Sequence, residues 1–383
     1  MKDICPPIQC TGCAACANIC PKRCIKMLQD KYGFLRPAIN YTLCINCGLC
    51  QTVCPNNNPI AKNYPNICFA GWSIDYADRE TSSSGGIASV LSNFTIEKGG
   101  IVYGAINIKT NVLHARCKKK SEVTQLKGSK YVQSYISENL FKQIKKDIDN
   151  HLNVLFIGTP CQIAGLKNFL KKDSYKVLYI DIICHGTPSQ KILKDHIQSI
   201  CTISEVESIH FRDASSSDYF LTLKDNNGTI LYRNNFPNDF YLNGFMYALF
   251  SRSSCYQCHY ASPERISDIT IGDFWGLGNT NYPKKKVSVI LCNTPKGETI
   301  INDVHDRLFL DSRPIEEAIK GNLQLQAPSK KHEFYNLFHT LYPYIGYRIT
   351  IHICLAKFYI KHQVFKLLYS NKNFRNYYNN KKS

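Results

Sequence analysis

The 383-residue sequence lacks any stretch of 18 uncharged apolar residues. A membrane-spanning helix needs such a run, so we expect no spanning helix. The opening MKDICPPIQC also lacks the apolar core of an export signal. We therefore expect a cytoplasmic protein, and in that reducing compartment its 19 cysteines favour metal binding or redox chemistry over disulfides.

Acidic residues are also scarce, with 29 Asp and Glu against 47 Lys and Arg, a formal charge of +18. No groove-reading motif accompanies this charge, so we expect no nucleic-acid partner. The excess is concentrated in a basic, aromatic tail at 330–383, which has ten Lys and Arg and one acid, Glu333. The tail is predicted to be helical.

The apolar stretch at 349–369 of this tail is interrupted by Lys357, Lys361 and Lys366. Two interpretations stay open. The slightly favoured one is a helix that packs on the main domain. The other is an amphipathic helix that makes peripheral contact with the cytoplasmic membrane face, for which the basic and aromatic flanks are suited.

Two copies of the pattern C-x2-C-x2-C-x3-C-P begin at Cys10 and Cys44. In such runs the first three cysteines bind one 4Fe-4S cluster and the fourth reaches the other cluster. The first predicted ligand set, "the first cysteine set", is Cys10, Cys13, Cys16 and Cys54. The "second cysteine set" is Cys44, Cys47, Cys50 and Cys20. Two zinc ribbons are a weaker alternative, because zinc does not explain the repeated three-cysteine run and Cys-Pro.

Residues 5–60 closely resemble a bacterial two-cluster ferredoxin. The resemblance implies an α+β ferredoxin-like module, predicted for 1–60, that transfers single electrons between two clusters. The segment after Cys54, with three asparagines and Pro59, indicates a linker into a larger domain.

The remainder of the chain shows the pattern of an α/β domain. KGGIVYGAINI predicts a strand, and YFLTLKDNNGTILYR predicts a hairpin around Gly228. The apolar runs HLNVLFIG and KVLYIDIIC are each followed by a helical pattern, which predicts a largely parallel central sheet.

Both of those helices are predicted to begin in the same way. In GTPCQ a capping box joins Thr159 and Gln162, and in GTPSQ another joins Thr187 and Gln190. The first helix places a cysteine in its first turn, and a second cysteine precedes the other helix. Two βα loops of one parallel sheet open at the same edge, so these cysteines could meet.

A lone C-x2-C pair at 255–258 cannot complete a metal site alone. Together with the two loop cysteines it offers four ligands for a third 4Fe-4S cluster, "the third cysteine set": Cys161, Cys184, Cys255 and Cys258. The alternative is a redox-active dithiol with two structural cysteines.

The motifs TSSSGGIASVL, GSKYVQS, GTPCQ, CHGTPS and GDFWG, in this order, resemble the beta subunit family of the coenzyme F420 reducing hydrogenases and dehydrogenases. The resemblance covers about 65–326, which we take as the second domain. It implies a protein that contains FAD and iron-sulfur clusters, with the third cysteine set at a cluster near the flavin. Several bacterial members accompany polysaccharide genes.

The resemblance also implies flavin contacts. Ser83, Ser84, Gly85 and Gly86 precede a predicted helix, whose N-terminal N–H groups suit a pyrophosphate. Lys130 could add a positive charge beside the phosphates or reduced flavin, although a solvated lysine is the alternative.

His185 could donate a hydrogen bond or a proton to the flavin, and a packing histidine is equally compatible with the sequence. Asp273 and Trp275 could pack near it. No catalytic residue is assigned from the sequence.

The expected function is therefore that of an FAD- and iron-sulfur-dependent oxidoreductase. Electrons would pass from a redox partner, a ferredoxin or other donor, through 4Fe-4S clusters to FAD and then to an unidentified two-electron acceptor, for which polysaccharide biosynthesis is one setting. The alternative is a non-catalytic subunit that relays electrons to a partner enzyme.

Overall fold

The computed structural model describes residues 3–212 and 218–370. The strands in these ranges are β1 Ile25–Gln29, β2 Leu35–Ile39, β3 Ile67–Ser73, β4 Ile101–Ile108, β5 Asn111–Cys117, β6 Val154–Gly158, β7 Val177–Ile182, β8 Ser208–Arg212, β9 Tyr219–Lys224, β10 Ile230–Asn235, β11 Ile269–Asp273, β12 Ser288–Cys292 and β13 Leu308–Ser312. The helices are α1 Ala15–Ile19, α2 Leu49–Thr52, α3 Tyr76–Thr81, α4 Ile87–Glu97, α5 Lys120–Val123, α6 Leu140–Asp149, α7 Pro160–Leu170, α8 Gln190–Gln198, α9 Phe240–Met246, α10 Pro295–Asp303, α11 Ile315–Gly321 and α12 Tyr335–Ser370.

The N-terminal segment contains an antiparallel hairpin, β1 and β2, with Ile25 opposite Ile39. Two short helices, α1 and α2, each follow a cysteine loop. These elements mix helix and strand, but the likeness to a ferredoxin fold stays a prediction.

The main domain is built on an eight-stranded sheet in the order β13-β3-β12-β11-β7-β6-β4-β5. The neighbouring strands β11, β7, β6 and β4 are parallel, and β3 runs in the same direction. The predicted α/β domain with a mostly parallel sheet is confirmed. Strands β5, β12 and β13 are antiparallel to their neighbours. For β5 the reason is its short turn from β4, which leaves no room for a crossover.

A smaller antiparallel sheet has the order β10-β9-β8. It contains the predicted hairpin, with β9 paired to β10 and Gly228 at a φ of 79° in the turn. The strand predictions for β4, β6 and β7 are also confirmed.

Helix α7 begins as predicted, because Thr159 and Gln162 form a reciprocal capping box. The predicted start of α8 is wrong. Its N-cap is Ser189, whose hydroxyl accepts from the Ile192 N–H at 3.2 Å, and the helix begins at Gln190. Thr187 instead lies in a loop, where its carbonyl accepts from the Arg252 N–H at 3.0 Å. That tertiary contact occupies the Thr187 carbonyl, which as an N-cap carbonyl would accept the first hydrogen bond within the helix.

The long C-terminal segment α12 breaks at Gly346, which has a φ of 74°. Its inward residues join the core near α8 and α9: Phe338, Tyr342, Tyr347, Ile351, Cys354 and Leu355. The predicted packing of this helix on the main domain is therefore confirmed up to Leu355. No helix in the described part of the chain is long and apolar enough to cross a membrane.

The N-terminal segment and the main domain share one hydrophobic core. Ala15 and Ile25 pack in the same cluster as Phe141 and Ile163. The Asn18 side chain reinforces the junction, because its amide donates to the Ser137 carbonyl at 2.9 Å and its oxygen accepts from the Phe141 N–H at 2.9 Å.

Candidate redox site

The four cysteines of the first cysteine set are buried and lie close together. Burial raises the pKa of the Cys16 thiol well above its usual value, and the thiolates of Cys13, Cys10 and Cys54 raise it further. These contributions mean that the four side chains lie near one another. The spatial grouping agrees with the ligand set predicted from the sequence.

A fifth thiol, Cys5, lies against this set and was not predicted. Hydrogen bonding from Cys5 lowers the pKa of Cys10 to about 6 and that of Cys54 to about 7. The Asn56 amide lies 3.7 Å from the Cys5 sulfur and 3.9 Å from the Cys54 sulfur. Cys5 is thus placed to stabilise two ligand thiolates.

The second cysteine set surrounds a cavity of about 20 Å³, together with Ile45, Leu49 and Lys22. Cys24 joins it as a fifth thiol, with its sulfur 3.3 Å from that of Cys20. The sequence analysis did not identify Cys24, because it lies outside the repeated pattern.

The third cysteine set lines a single cavity of about 50 Å³ at the edge of the sheet. Its members come from the start of α7, the loop before α8 and the 255–258 turn. Burial, with repulsion from Cys255, raises the pKa of Cys184 to about 12. These groups are therefore thiols in the metal-free chain, and binding of iron would release their protons.

Helix α7 joins the first and third cysteine sets. A Cβ on Gly165 would lie 2.9 Å from the Cys13 sulfur, so the absence of a side chain lets the first ligand loop approach the helix. Cys161 lies one turn earlier on α7, a rise of about 6 Å. The Tyr260 hydroxyl lies near both sets: burial raises its pKa, and negative charge on Cys161 or Cys13 raises it further.

No three His, Cys, Asp or Glu side chains in residues 3–212 and 218–370 are arranged to hold a single metal ion. A 4Fe-4S cluster requires a different arrangement. Four iron and four sulfide atoms occupy more space than one ion, so the four thiolates must be farther apart.

A buried cation lies between the first and third sets. The Arg252 guanidinium, 1% exposed, donates to the Cys10 carbonyl at 3.1 Å, the Leu35 carbonyl at 3.0 Å and the Gln133 side chain at 2.6 Å. Negative charge on Cys10 or Cys255 would favour its charged form, although burial lowers its pKa. The sequence analysis missed Arg252; its position three residues before Cys255 was the available signal.

A larger cavity, of about 310 Å³, lies beyond the third cysteine set, and we call it the large cavity. Cys161 and Cys184 line both this cavity and the smaller one that the third set surrounds. Its volume is at the lower end of the range for small-molecule and cofactor sites. The third cysteine set thus forms part of its wall.

The predicted serine and glycine segment leads into α4, whose N-cap is Gly86. Ser83, Ser84 and Gly86 line the large cavity. The Ser83 hydroxyl accepts from the Ser129 N–H at 2.8 Å.

Gly85 has a different place. Its N–H donates to the Ser288 hydroxyl at 2.9 Å, and an added Cβ would lie 2.4 Å from the Gly71 carbonyl. It packs the segment against the sheet and is absent from the residues that line the cavity.

Lys130 and His185 also line the large cavity. The Lys130 ammonium donates to the Leu126 and Lys127 carbonyls, each at 2.8 Å. Burial lowers its pKa to about 7. Burial also lowers the pKa of His185, which favours the neutral ring.

Asp273 and Trp275 lie on the cavity wall as well. The Asp273 carboxylate pairs with Arg212 at 2.5 Å, and the Arg212 guanidinium lies 4.9 Å from the centre of the Tyr219 ring. Arg212 and Tyr219 line the cavity too, and sequence reasoning did not identify them. They come from the second sheet, whose position over the cavity no local motif indicates.

Comparison with known proteins assigns two segments. Residues 151–318 match the model of a family described as the C terminus of the beta subunit of coenzyme F420 hydrogenase/dehydrogenase, and residues 9–58 match a 4Fe-4S dicluster domain. Over these residues the chain is similar to both families. The resemblance seen in the sequence motifs is thereby confirmed, and the chain is an iron-sulfur protein of the oxidoreductase, electron-transfer class.

Two individual proteins are similar to parts of the chain. NADH-quinone oxidoreductase subunit I of Pelobacter propionicus is 35% identical over 70 residues, which are 16% of this chain and 37% of that protein. The chain thus spans little more than a third of that relative. A structure of the F420-reducing [NiFe] hydrogenase complex from Methanosarcina barkeri aligns with a TM-score of 0.48 at 15% identity, over 69% of this chain and 91% of the other.

Proposed function

We propose that the chain is an iron-sulfur flavoprotein oxidoreductase. It takes single electrons from a ferredoxin-type donor and delivers them in pairs to a two-electron acceptor. The observation that carries this proposal is the position of the third cysteine set, which α7 and Arg252 join to the first set and two of whose cysteines line the large cavity. This arrangement would let electrons pass from the donor protein through the clusters to a substrate in the large cavity.

The residues fit iron-sulfur clusters by their donor chemistry. Each of the three sets offers four thiols, and the Nε of buried Arg252 has no hydrogen-bond partner among the described residues. A cation this deeply buried needs a counter-charge. A 4Fe-4S cluster held by four thiolates carries net negative charge and would supply it on both sides of the guanidinium.

The large cavity fits FAD by its polar groups. The N-terminus of α4 with Ser83 and Ser84, and the Lys130 ammonium, which donates to neutral carbonyls, would hold the anionic diphosphate. His185 could donate to the flavin ring from the wall next to Cys184. A bound FAD would accept electrons singly and release them as a hydride equivalent.

The surrounding residues would orient the acceptor and limit water. Trp275, 43% exposed, and Tyr219 are apolar surfaces at the cavity wall, and the paired Asp273 and Arg212 are polar groups there. The resemblance to the family supports polysaccharide biosynthesis as the setting of this acceptor. We also propose that the protein is cytoplasmic.

A second function, a relay subunit without its own substrate, is supported by the nature of the matching proteins. Both the matching family and the relative from Pelobacter propionicus are described as subunits. In that case the electrons would leave through a partner enzyme.

Anaerobic reconstitution tests both proposals. We expect close to twelve iron and twelve acid-labile sulfide per chain, because twelve cysteines form three sets. Heat release followed by chromatography should yield non-covalent FAD. Iron without flavin after incubation with FAD would support the relay, and eight iron would contradict a cluster at the third set.

Replacement of one ligand tests the third set directly. Cys161→Ser should remove about four iron and leave the signals of the two N-terminal clusters unchanged. The matched control is Cys201→Ser, a half-buried cysteine outside all three sets, which should keep the full iron content. Unchanged iron in Cys161→Ser would favour the dithiol interpretation.

A further inference from the structure

We propose that the surface over the second cysteine set is the docking site for an acidic one-electron carrier protein. This inference rests on the proposed function, because it specifies where the electron enters the chain. The step moves one electron. The carrier is oxidised, the chain is reduced, and no bond is made or broken.

Exposure distinguishes the second cysteine set from the other two. Of the twelve predicted ligands, all of which the structure describes, Cys47 is the exposed one. Those of the first set are buried, and those of the third are half-buried around an internal cavity. A protein donor that approaches from solvent would therefore come closest at the second set.

Four large apolar side chains lie exposed within residues 41–49, and we call them the entry patch. They are Tyr41, Leu43, Ile45 and Leu49, with exposures of 57%, 54%, 57% and 37%. Ile45 and Leu49 line the small cavity that the second cysteine set surrounds. Contiguous exposed apolar residues beside a functional group are typical of a protein-binding surface.

The charge beside the entry patch selects the class of partner. Lys22, Arg23 and Lys26 are exposed, and Lys22 lines the same cavity as Ile45 and Leu49. The first 74 residues contain seven Lys and Arg but two acids, Asp3 and Asp30. Asp30 is neutralised by Arg36 at 2.9 Å. A basic rim around an apolar centre is complementary to an acidic protein and would steer its approach.

The test compares two triple charge reversals in the iron-loaded full chain. One carries Lys22→Glu, Arg23→Glu and Lys26→Glu. The control carries Lys98→Glu, Lys118→Glu and Lys320→Glu, at exposed lysines of the main domain, so both change net charge equally. Reduction is followed by stopped-flow absorbance with two donors, a reduced acidic two-cluster ferredoxin and the small methyl viologen radical.

With ferredoxin at low salt, the first triple variant should react at least tenfold more slowly than the control and lose most of its salt dependence. With methyl viologen neither variant should be slowed. Equal ferredoxin rates in the two variants would overturn the docking site. Failure of methyl viologen to reduce the wild-type iron-sulfur signals would instead overturn the proposed function, and the docking site with it.

A single apolar substitution tests the entry patch apart from its charge. Leu43→Ser should slow ferredoxin several-fold but leave the salt dependence intact, because it weakens the docked complex and not the long-range attraction. Ile74→Ser, at a residue 62% exposed on the main domain, is the control and should have no effect. Equal rates in these two variants would contradict an apolar docking contact.

Discussion

Arg252 shows at the residue scale how the redox sites are coupled to the protein around them. Its guanidinium is buried between the first and third cysteine sets, with neutral acceptors on Cys10, Leu35 and Gln133. A positive charge stabilises the added electron of a reduced cluster. Its loss should therefore make reduction harder at both neighbouring sites.

We expect Arg252→Met to shift two of the three midpoint potentials to more negative values and leave the third, from the second cysteine set, unchanged. Loss of the charged hydrogen bonds should also destabilise the protein by about 2–4 kcal/mol. Arg252→Lys retains the charge and should retain most of both potentials. An EPR-monitored redox titration measures them, and unchanged potentials in Arg252→Met would contradict a coupling role.

Lys130 predicts a pH dependence for the flavin-free protein. Its folded pKa of about 7 lies below the unfolded value of about 10.4, so the unfolded chain binds more protons between these values. The Lys130 contribution to the free energy of unfolding should thus rise by roughly 2–4 kcal/mol from pH 7 to pH 10. Urea titrations of wild type and Lys130→Met measure it, since the variant lacks this contribution.

The same lysine should couple FAD binding to pH. A diphosphate favours the charged ammonium, so FAD affinity should fall as pH rises above about 7, and Lys130→Met should weaken both affinity and pH dependence. Identical pH profiles of FAD affinity in the two proteins would remove Lys130 from the flavin site.

At the scale of elements, α12 divides into two parts with different environments. Up to Leu355 its inward side chains are buried in the core. Beyond that point Ile360, Val364 and Leu367 are exposed, as is Lys361. The side chain of Lys366 and residues 371–383 lie outside the described residues. We therefore propose that this exposed apolar and basic part makes peripheral contact with a membrane.

The division of α12 determines where a truncation should be made. Removal of 360–383 should abolish salt-sensitive co-sedimentation with anionic liposomes and leave the thermal midpoint, iron and flavin unchanged. Removal of 345–383 would also delete buried Tyr347, Ile351 and Cys354, and should lower the thermal midpoint. Equal sedimentation of the full chain and the chain ending at residue 359 would rule out the membrane contact.

At the scale of the whole molecule, the predicted boundary near residue 60 does not separate two hydrophobic cores. Ala15 and Ile25 share a core with Ile163 and Phe141, and Arg252 binds the first ligand loop. We expect one cooperative transition in anaerobic calorimetry of the full iron-loaded chain. A separate transition for the N-terminal segment, with iron lost in two stages, would contradict a shared core.

Local patterns in the sequence were sufficient to predict the strands β4, β6 and β7, the hairpin at Gly228 and the capping box of α7. Each depends on residues close together in the chain, so spacing and side-chain type decide it. The start of α8 was predicted wrongly, because Thr187 is engaged by distant Arg252.

The two cysteine repeats show where the influence of local sequence ends. Gly12 and Gly48 occupy equivalent places in them and have nearly the same backbone conformation, with φ of 69° and 73°. A Cβ on Gly12 would lie 2.7 Å from Gln133 and 2.8 Å from Arg252, whereas one on Gly48 would meet nothing within 4 Å. The sequence by itself determined the ligand loops, because their spacing and turns are local. Only the tertiary structure decided which loop is enclosed beside the third cysteine set and which faces solvent, because that depends on residues more than a hundred positions away.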